Sequence, residues 1–143
     1  MPSHAEKKVL PYSQRQIFEM VADVAAYPDF LPWCIATRIR SVDEQQLVAD
    51  MVIGFKMFRE QFTSRVELNG PSSIEVKYED GSFKYLRNSW FFESDKNGHC
   101  LVDFSVEFEF RSQILELAIG KIFTEAVHRM VSAFEKRAET LYG

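Results

Sequence analysis

Three histidines, two cysteines and twenty-one acidic residues are what this chain offers chemistry, and their spacing scatters them. His4, His99 and His128 stand far apart, and Cys34 and Cys100 lack the CxxC or CxxxxH context of a zinc or redox site. The sequence therefore points to no metal site, and the cysteines read as buried, reduced thiols. Acid–base catalysis needs two titratable groups whose pKa values are driven apart inside one cavity. The carboxylate rows here, Asp103/Glu107/Glu109 and Glu75/Glu79, instead fall on the polar side of alternating segments. There is no GxSxG, no HExxH and no phosphate-cradling loop, and the six glycines are unclustered. No catalytic residue, no cofactor and no metal is expected.

Abundance lies elsewhere: 13 Phe, 5 Tyr and 2 Trp make 14% of 143 residues aromatic. Each buries roughly 150–250 Å², more than a thin sheet protein needs to close its core. The formal net charge of −4 lacks the basic field of a protein that grips phosphates, so DNA is not an expected partner. Met1 to Lys8 is polar rather than signal-like, and no apolar run reaches 18 residues. A cytoplasmic protein of one domain, residues 1–143, is expected.

The elements that would position the aromatics follow from periodicity. His4 to Leu10 is short and mixed, an edge-strand candidate. Ser13 offers an N-cap to a helix whose stripe Ile17, Phe18, Met20, Val21 runs to about Val24. Tyr27-Pro28-Asp29-Phe30-Leu31-Pro32-Trp33-Cys34 is apolar but broken by two prolines, a turn or loop with its aromatics tucked in. From Ile35 to Phe110 the period is two. Leu47, Ala49, Met51, Ile53 and Phe55 oppose Val48, Asp50, Val52 and Lys56; Cys100, Val102, Phe104, Val106, Phe108 and Phe110 oppose Asp103, Ser105, Glu107 and Glu109. One face buried and one wet is the mark of an antiparallel sheet. Asn69-Gly70-Pro71, Asp80-Gly81-Ser82 and Lys96-Asn97-Gly98 supply turns for about six strands in this stretch. By the same alternation Phe83, Tyr85 and Phe91 face away from Trp90. After Ser112, a second N-cap, Leu115 to Leu141 carries a helical stripe about 28 residues long, roughly 42 Å.

A sheet with one apolar face and one long amphipathic helix admit few packings: the helix covers the face. A strongly twisted sheet lifts away from that helix at its wings, leaving room for either a solid core or a pocket.

The run Tyr27-Pro-Asp-Phe-Leu-Pro-Trp-Cys34, the segment Asp80-Gly81-Ser82-Phe83 with Leu86, Asn88, Trp90 and Phe92, and the long terminal helix resemble the coenzyme Q-binding START-domain family. That family belongs to the polyketide cyclase/dehydrase-type, SRPBCC or helix-grip superfamily, and its bacterial members are also called ribosome association toxins of the RatA type. One departure is visible: the family's Asp-Gly-Pro-Phe turn has Ser82 in the proline place, a loosening of less than about 1 kcal/mol.

The resemblance implies an α+β helix-grip (START/Bet v 1-like) fold, with an antiparallel sheet of about seven strands curved around the C-terminal helix. It implies a tunnel between the two that accepts ubiquinone (coenzyme Q) or another polyprenyl lipid without catalysis, in a chaperone supporting respiration. Candidate wall residues are Phe30, Leu31, Trp33, Met51, Ile53, Phe55, Phe58, Phe62, Leu86, Asn88, Trp90, Phe92, Phe104, Phe108, Ile119, Ile122, Phe123 and Met130. Asn88, Glu60 and Ser64 are polar residues on otherwise apolar faces and are candidates to orient a head group. Membrane contact, peripheral at the inner membrane, is assigned to Tyr27, Phe30 and Trp33. The alternative is a toxin that binds a ribosomal subunit, for which Arg38/Arg40 and Arg59/Arg65 on neighbouring strands would supply a modest basic patch. A cyclase-type enzyme is the third reading.

Overall fold

The computed structural model describes residues 3–143. Strand β1 (Ser3–Leu10) leads into α1 (Gln14–Ala22) and a 3₁₀ helix (Val24–Asp29). Six strands follow: β2 (Cys34–Val42), β3 (Gln46–Phe55), β4 (Phe58–Asn69), β5 (Ser73–Gly81), β6 (Phe83–Ser94) and β7 (Cys100–Phe110). Helix α2 (Gln113–Tyr142) completes the chain. The seven strands form one antiparallel sheet in the order β1-β7-β6-β5-β4-β3-β2, so β1 and β2 are its edges. This is the helix-grip fold.

Both helix starts are chemically marked. Ser13 Oγ accepts from Gln16 N at 3.1 Å while Gln16 Oε1 accepts from Ser13 N at 2.9 Å, a reciprocal box that satisfies two otherwise orphan donors. Ser112 Oγ accepts from Leu115 N at 3.2 Å. Helix α1 stops at Ala22, short of Val24, because the chain tightens into the 3₁₀ helix that carries Pro28. Helix α2 has 30 residues, about 45 Å at 1.5 Å each.

Four features depart from the sequence expectations. Phe83 faces inward and is 3% exposed, not outward. Between Phe83↔Phe110 and Tyr85↔Glu109 the register slips by one residue, so the bulge at Lys84 returns Phe83 to the inner face. Asp50, placed by pattern on the wet face, is 5% exposed because Arg40 from β2 and Thr63 from β4 close over it at 2.8 and 2.5 Å. The two arginine pairs are not on neighbouring strands: β3 lies between β2 and β4. Arg40 is held by Asp50 and Arg65 by Glu79, which leaves little of a basic patch. Finally, β1 and α2 bring His4 and His128, distant in sequence, to 5.8 Å between ring centroids.

The core has two parts. The larger gathers α1 (Ile17, Phe18, Val21), the middle of the sheet (Ile74, Trp90, Val102) and the C-terminal half of α2 (Val127, Phe134, Ala138). The smaller, of Phe62, Phe83, Phe110 and Leu115, lies where β3 and β7 end and α2 begins.

Candidate functional site

Between these two cores the sheet and α2 enclose a cavity of about 250 Å³. Its floor is the inner face of β3 to β7: Met51, Ile53 and Phe55; Phe58, Phe62 and Val66; Ile74 and Val76; Leu86 and Trp90; Phe104 and Phe108. Its roof is one face of α2, from Leu115 and Ile119 through Phe123 and Ala126 to Met130 and Phe134. Period two below and period 3.6 above thus direct their apolar sides at the same space. Val24, Tyr27 and the Leu31–Cys34 segment close the side beside β2.

The wall is pinned by ring contacts rather than fluid packing. Phe83 stacks on Phe110 at 4.5 Å and meets Phe62 edge-on at 5.0 Å; Trp90 sits 4.6 Å from Phe104 and 5.1 Å from Phe134. Such offset and edge-to-face pairs are the favoured aromatic geometries. Trp33, at φ +65°, meets Phe55 edge-on at 6.4 Å. Tyr27 donates its hydroxyl to the Val21 carbonyl, and burial pushes its pKa up. Burial likewise raises the Cys34 thiol to about 11, so it stays protonated at neutral pH. Cys34 and Cys100 are both free and buried.

Three polar side chains interrupt the apolar lining: Glu60, Ser64 and Asn88. Asn88 Nδ2 donates to the Ser105 carbonyl at 2.9 Å, and its Oδ1 accepts from Trp90 Nε1 at 3.0 Å. Ser64, 5% exposed, turns its hydroxyl to the cavity without a protein partner among the described residues. Glu60 lies on the same face of β4 nearer the hairpin. These can orient a polar head in an otherwise greasy space.

Of the wall residues expected from sequence, Leu31, Trp33, Met51, Ile53, Phe55, Phe58, Phe62, Leu86, Asn88, Trp90, Phe104, Phe108, Ile119, Ile122, Phe123 and Met130 all line the cavity. Phe30 and Phe92 do not. Phe30 packs outside it, edge-on to Tyr27 and Phe134 with the Arg137 guanidinium over its ring at 5.1 Å. Phe92 is buried against Phe18 of α1. Sequence reasoning missed Phe83, hidden by the bulge, and left out Phe110, Leu115 and Phe134, although strand alternation and the helical stripe mark all three. Tyr27 and Phe30, assigned to membrane contact, turn their rings onto Phe134, so of that trio only Trp33 lies at the cavity's hairpin end.

That end of the sheet is distinctive. The β3–β4 hairpin, the β5–β6 turn and the start of α2 converge there, and Met57, Ile114 and Leu117 stand 90, 72 and 71% exposed. Lys56 and Lys121 are exposed beside them. No helix among the described residues is long and apolar enough to cross a membrane.

The chain is 38% identical over 143 residues to the ribosome association toxin RatA of Vibrio cholerae serotype O1 (strain ATCC 39541 / Classical Ogawa 395 / O395), covering 100% of this chain and 99% of that protein. It is 33% identical over 144 residues to the mitochondrial coenzyme Q-binding protein COQ10 homolog B of Xenopus laevis, covering 98% of this chain and 59% of that one. The solution structure of the 18 kDa protein CC1736 from Caulobacter crescentus superposes with a TM-score of 0.79 at 36% identity, covering 100% and 99% of the two chains. The family model for polyketide cyclase / dehydrase and lipid transport matches residues 10–135, and the chain belongs to that family.

Proposed function

We propose that the protein is a non-catalytic carrier that binds ubiquinone or a related polyprenyl lipid in the cavity under α2, a quinone chaperone serving respiratory electron transport. The observation that carries this reading is the cavity itself: apolar walls from five strands and a helix, with three polar side chains set among them. A greasy ligand needs concave apolar surface and a few placed polar groups to fix its head. At about 250 Å³ the space lies near the lower bound of roughly 300–1000 Å³ for ligand sites, so a quinone ring and the first part of its tail fill it and a long tail continues outward. The likeness to a protein named for coenzyme Q binding supports the same choice.

A catalytic role draws no support from the lining. Glu60 is the one carboxylate among the lining residues, and the titratable Tyr27 and Cys34 of the same lining are kept protonated at neutral pH by burial. Loading from a bilayer falls to the hairpin end, where Met57, Ile114, Leu117 and Trp33 present apolar surface next to lysines. A cytoplasmic protein that visits the inner membrane peripherally fits this arrangement.

A second reading rests on the full-length 38% identity to a protein named as a ribosome association toxin: binding of a ribosomal subunit. The carrier reading is tested by solvent extraction of the purified protein, followed by titration with a short-tailed quinone. Trp33 and Trp90 both line the cavity, so uptake quenches their fluorescence. A lipid-free protein whose tryptophans ignore added quinone overturns the carrier reading, and salt-sensitive co-sedimentation with ribosomal subunits in its place favours the second.

A further inference from the structure

Outside the cavity, on the seam between edge strand β1 and the middle of α2, lie three side chains that the ligand reading does not use. His4 and Glu6 are two apart on β1 and so share its inner face. His4 Nε2 and Glu6 Oε1 are 2.8 Å apart, with the two side chains only 20 and 22% exposed. Across the seam His128 projects from α2, its ring nearly perpendicular to that of His4. One ligand atom from each of the three lies within 4.8 Å of the other two.

From this juxtaposition we propose that His4, Glu6 and His128 form a binding site for a divalent transition metal ion, zinc foremost. Two borderline imidazole donors with one carboxylate suit zinc better than calcium or magnesium, which prefer an all-oxygen set. Tetrahedral zinc with bonds of about 2.0–2.1 Å sets its donor atoms about 3.4 Å apart. His4 and Glu6 are already closer than that, and the remaining adjustment falls on His128, an exposed helical side chain free to change rotamer. Coordination through His4 Nε2 takes the tautomer with its hydrogen on Nδ1, and the Glu6 carboxylate then meets the metal instead of the ring. Water completes the fourth position.

Such an ion would tie α2 to the sheet edge opposite β2, where the neighbouring Lys8–Glu135 pair, at 2.5 Å, already bridges the same two elements. None of the three ligands is itself part of the cavity lining, although the His4 ring lies 6.5 Å from that of Phe104 in the floor.

The test uses the full chain, stripped with a chelator and titrated with Zn²⁺ against a chromophoric zinc indicator. One equivalent binds, and His4→Gln, Glu6→Gln and His128→Gln each weaken binding by about tenfold or more. Zn²⁺ at 100 times its wild-type Kd raises Tm by about 5–10 °C in the wild type and by about half of that or less in His128→Gln at the same concentration. Co²⁺ in the same site gives tetrahedral visible bands without a thiolate charge-transfer band. Because His128 is exposed, its variant keeps the fold, and circular dichroism verifies that. Undiminished zinc affinity in His128→Gln, or a thiolate band, overturns the proposal.

Discussion

The indole of Trp90 donates to the carboxamide of Asn88 at 3.0 Å, and the two residues lie on the same inner face of β6. A tryptophan in the wall of an apolar cavity has one polar atom to satisfy, and Asn88, itself anchored to the Ser105 carbonyl at 2.9 Å, satisfies it. The pair therefore serves the wall first. Head-group contacts are left mainly to Ser64 and Glu60.

Replacing Asn88 with Leu leaves the buried indole N–H of Trp90 without its partner. The cost is about 1–3 kcal/mol of stability, read as a lower urea midpoint. Trp90→Phe in the same background recovers part of it, since the orphaned donor is gone. A midpoint unchanged by Asn88→Leu would show that water, not Asn88, serves the indole.

Ala126 lines the cavity from α2. Ala126→Phe fills space that a ligand would occupy, and it fills it with apolar atoms, so the fold tolerates it better than a polar replacement. Quinone affinity is expected to fall by about tenfold or more, since one good apolar contact region is worth about 1.4 kcal/mol or more. Tm changes little. Equal quinone quenching in the variant and wild type would place the ligand elsewhere.

Gly81 is where local geometry leaves no choice of residue. Its φ is +135°, and an added Cβ would lie 2.5 Å from both the Gln61 carbonyl oxygen and the Phe62 Cα. The turn it makes brings Phe83 into the bulge and onto Phe62 and Phe110. Gly81→Ala is expected to cost about 3 kcal/mol or more, with loss of the near-UV aromatic signal. Gly98, also at positive φ but with open space around it, supplies the control: Gly98→Asn costs less than about 1 kcal/mol.

How much of this was legible beforehand follows from the range of each interaction. Period-two runs such as Cys100 to Phe110 and the stripe from Leu115 to Leu141 announce strand and helix because each side chain's direction is set by its own backbone. The caps at Ser13 and Ser112 are equally local. Phe83 was not legible, because a one-residue bulge reverses every direction beyond it and Lys84 carries no mark of one. Nor was Asp50: its burial depends on Arg40 and Thr63 from the two flanking strands. Phe30 and Phe92 are apolar and near the cavity, yet partners from α1 and α2 take them elsewhere, which composition cannot reveal. The meeting of His4 with His128 is the longest-range case, joining the first strand to the last helix.

Asp50 also sets a pH dependence. The Thr63 hydroxyl, and then Arg40, hold its carboxyl below the ordinary carboxylate range. The folded pKa is thus lower than the unfolded one of about 3.9. Its contribution is fully present above that unfolded value and is lost as pH falls through the folded one. Asp50→Asn is expected to lose about 1–2 kcal/mol at pH 7. The gap to wild type should narrow as pH falls below the unfolded value of about 3.9, in paired urea titrations. A gap as wide at pH 2.5 as at pH 7 would assign the loss to packing rather than charge.

The hairpin end yields the last prediction. Met57, Ile114 and Leu117 are large, apolar and 90, 72 and 71% exposed, at the same sheet end as Trp33 and beside Lys56 and Lys121. Isolated exposed apolar residues are ordinary, but three at one end of a ligand cavity form a surface suited to a bilayer interface. Each basic residue near an anionic surface adds about 1 kcal/mol at most. Met57→Ser with Leu117→Ser is expected to reduce co-flotation with vesicles of anionic phospholipid by about tenfold, while quinone quenching in detergent stays as in wild type. Lys56→Gln with Lys121→Gln should weaken flotation less and make what remains insensitive to salt. If the apolar double variant floats as well as wild type, the protein loads its ligand through some other face.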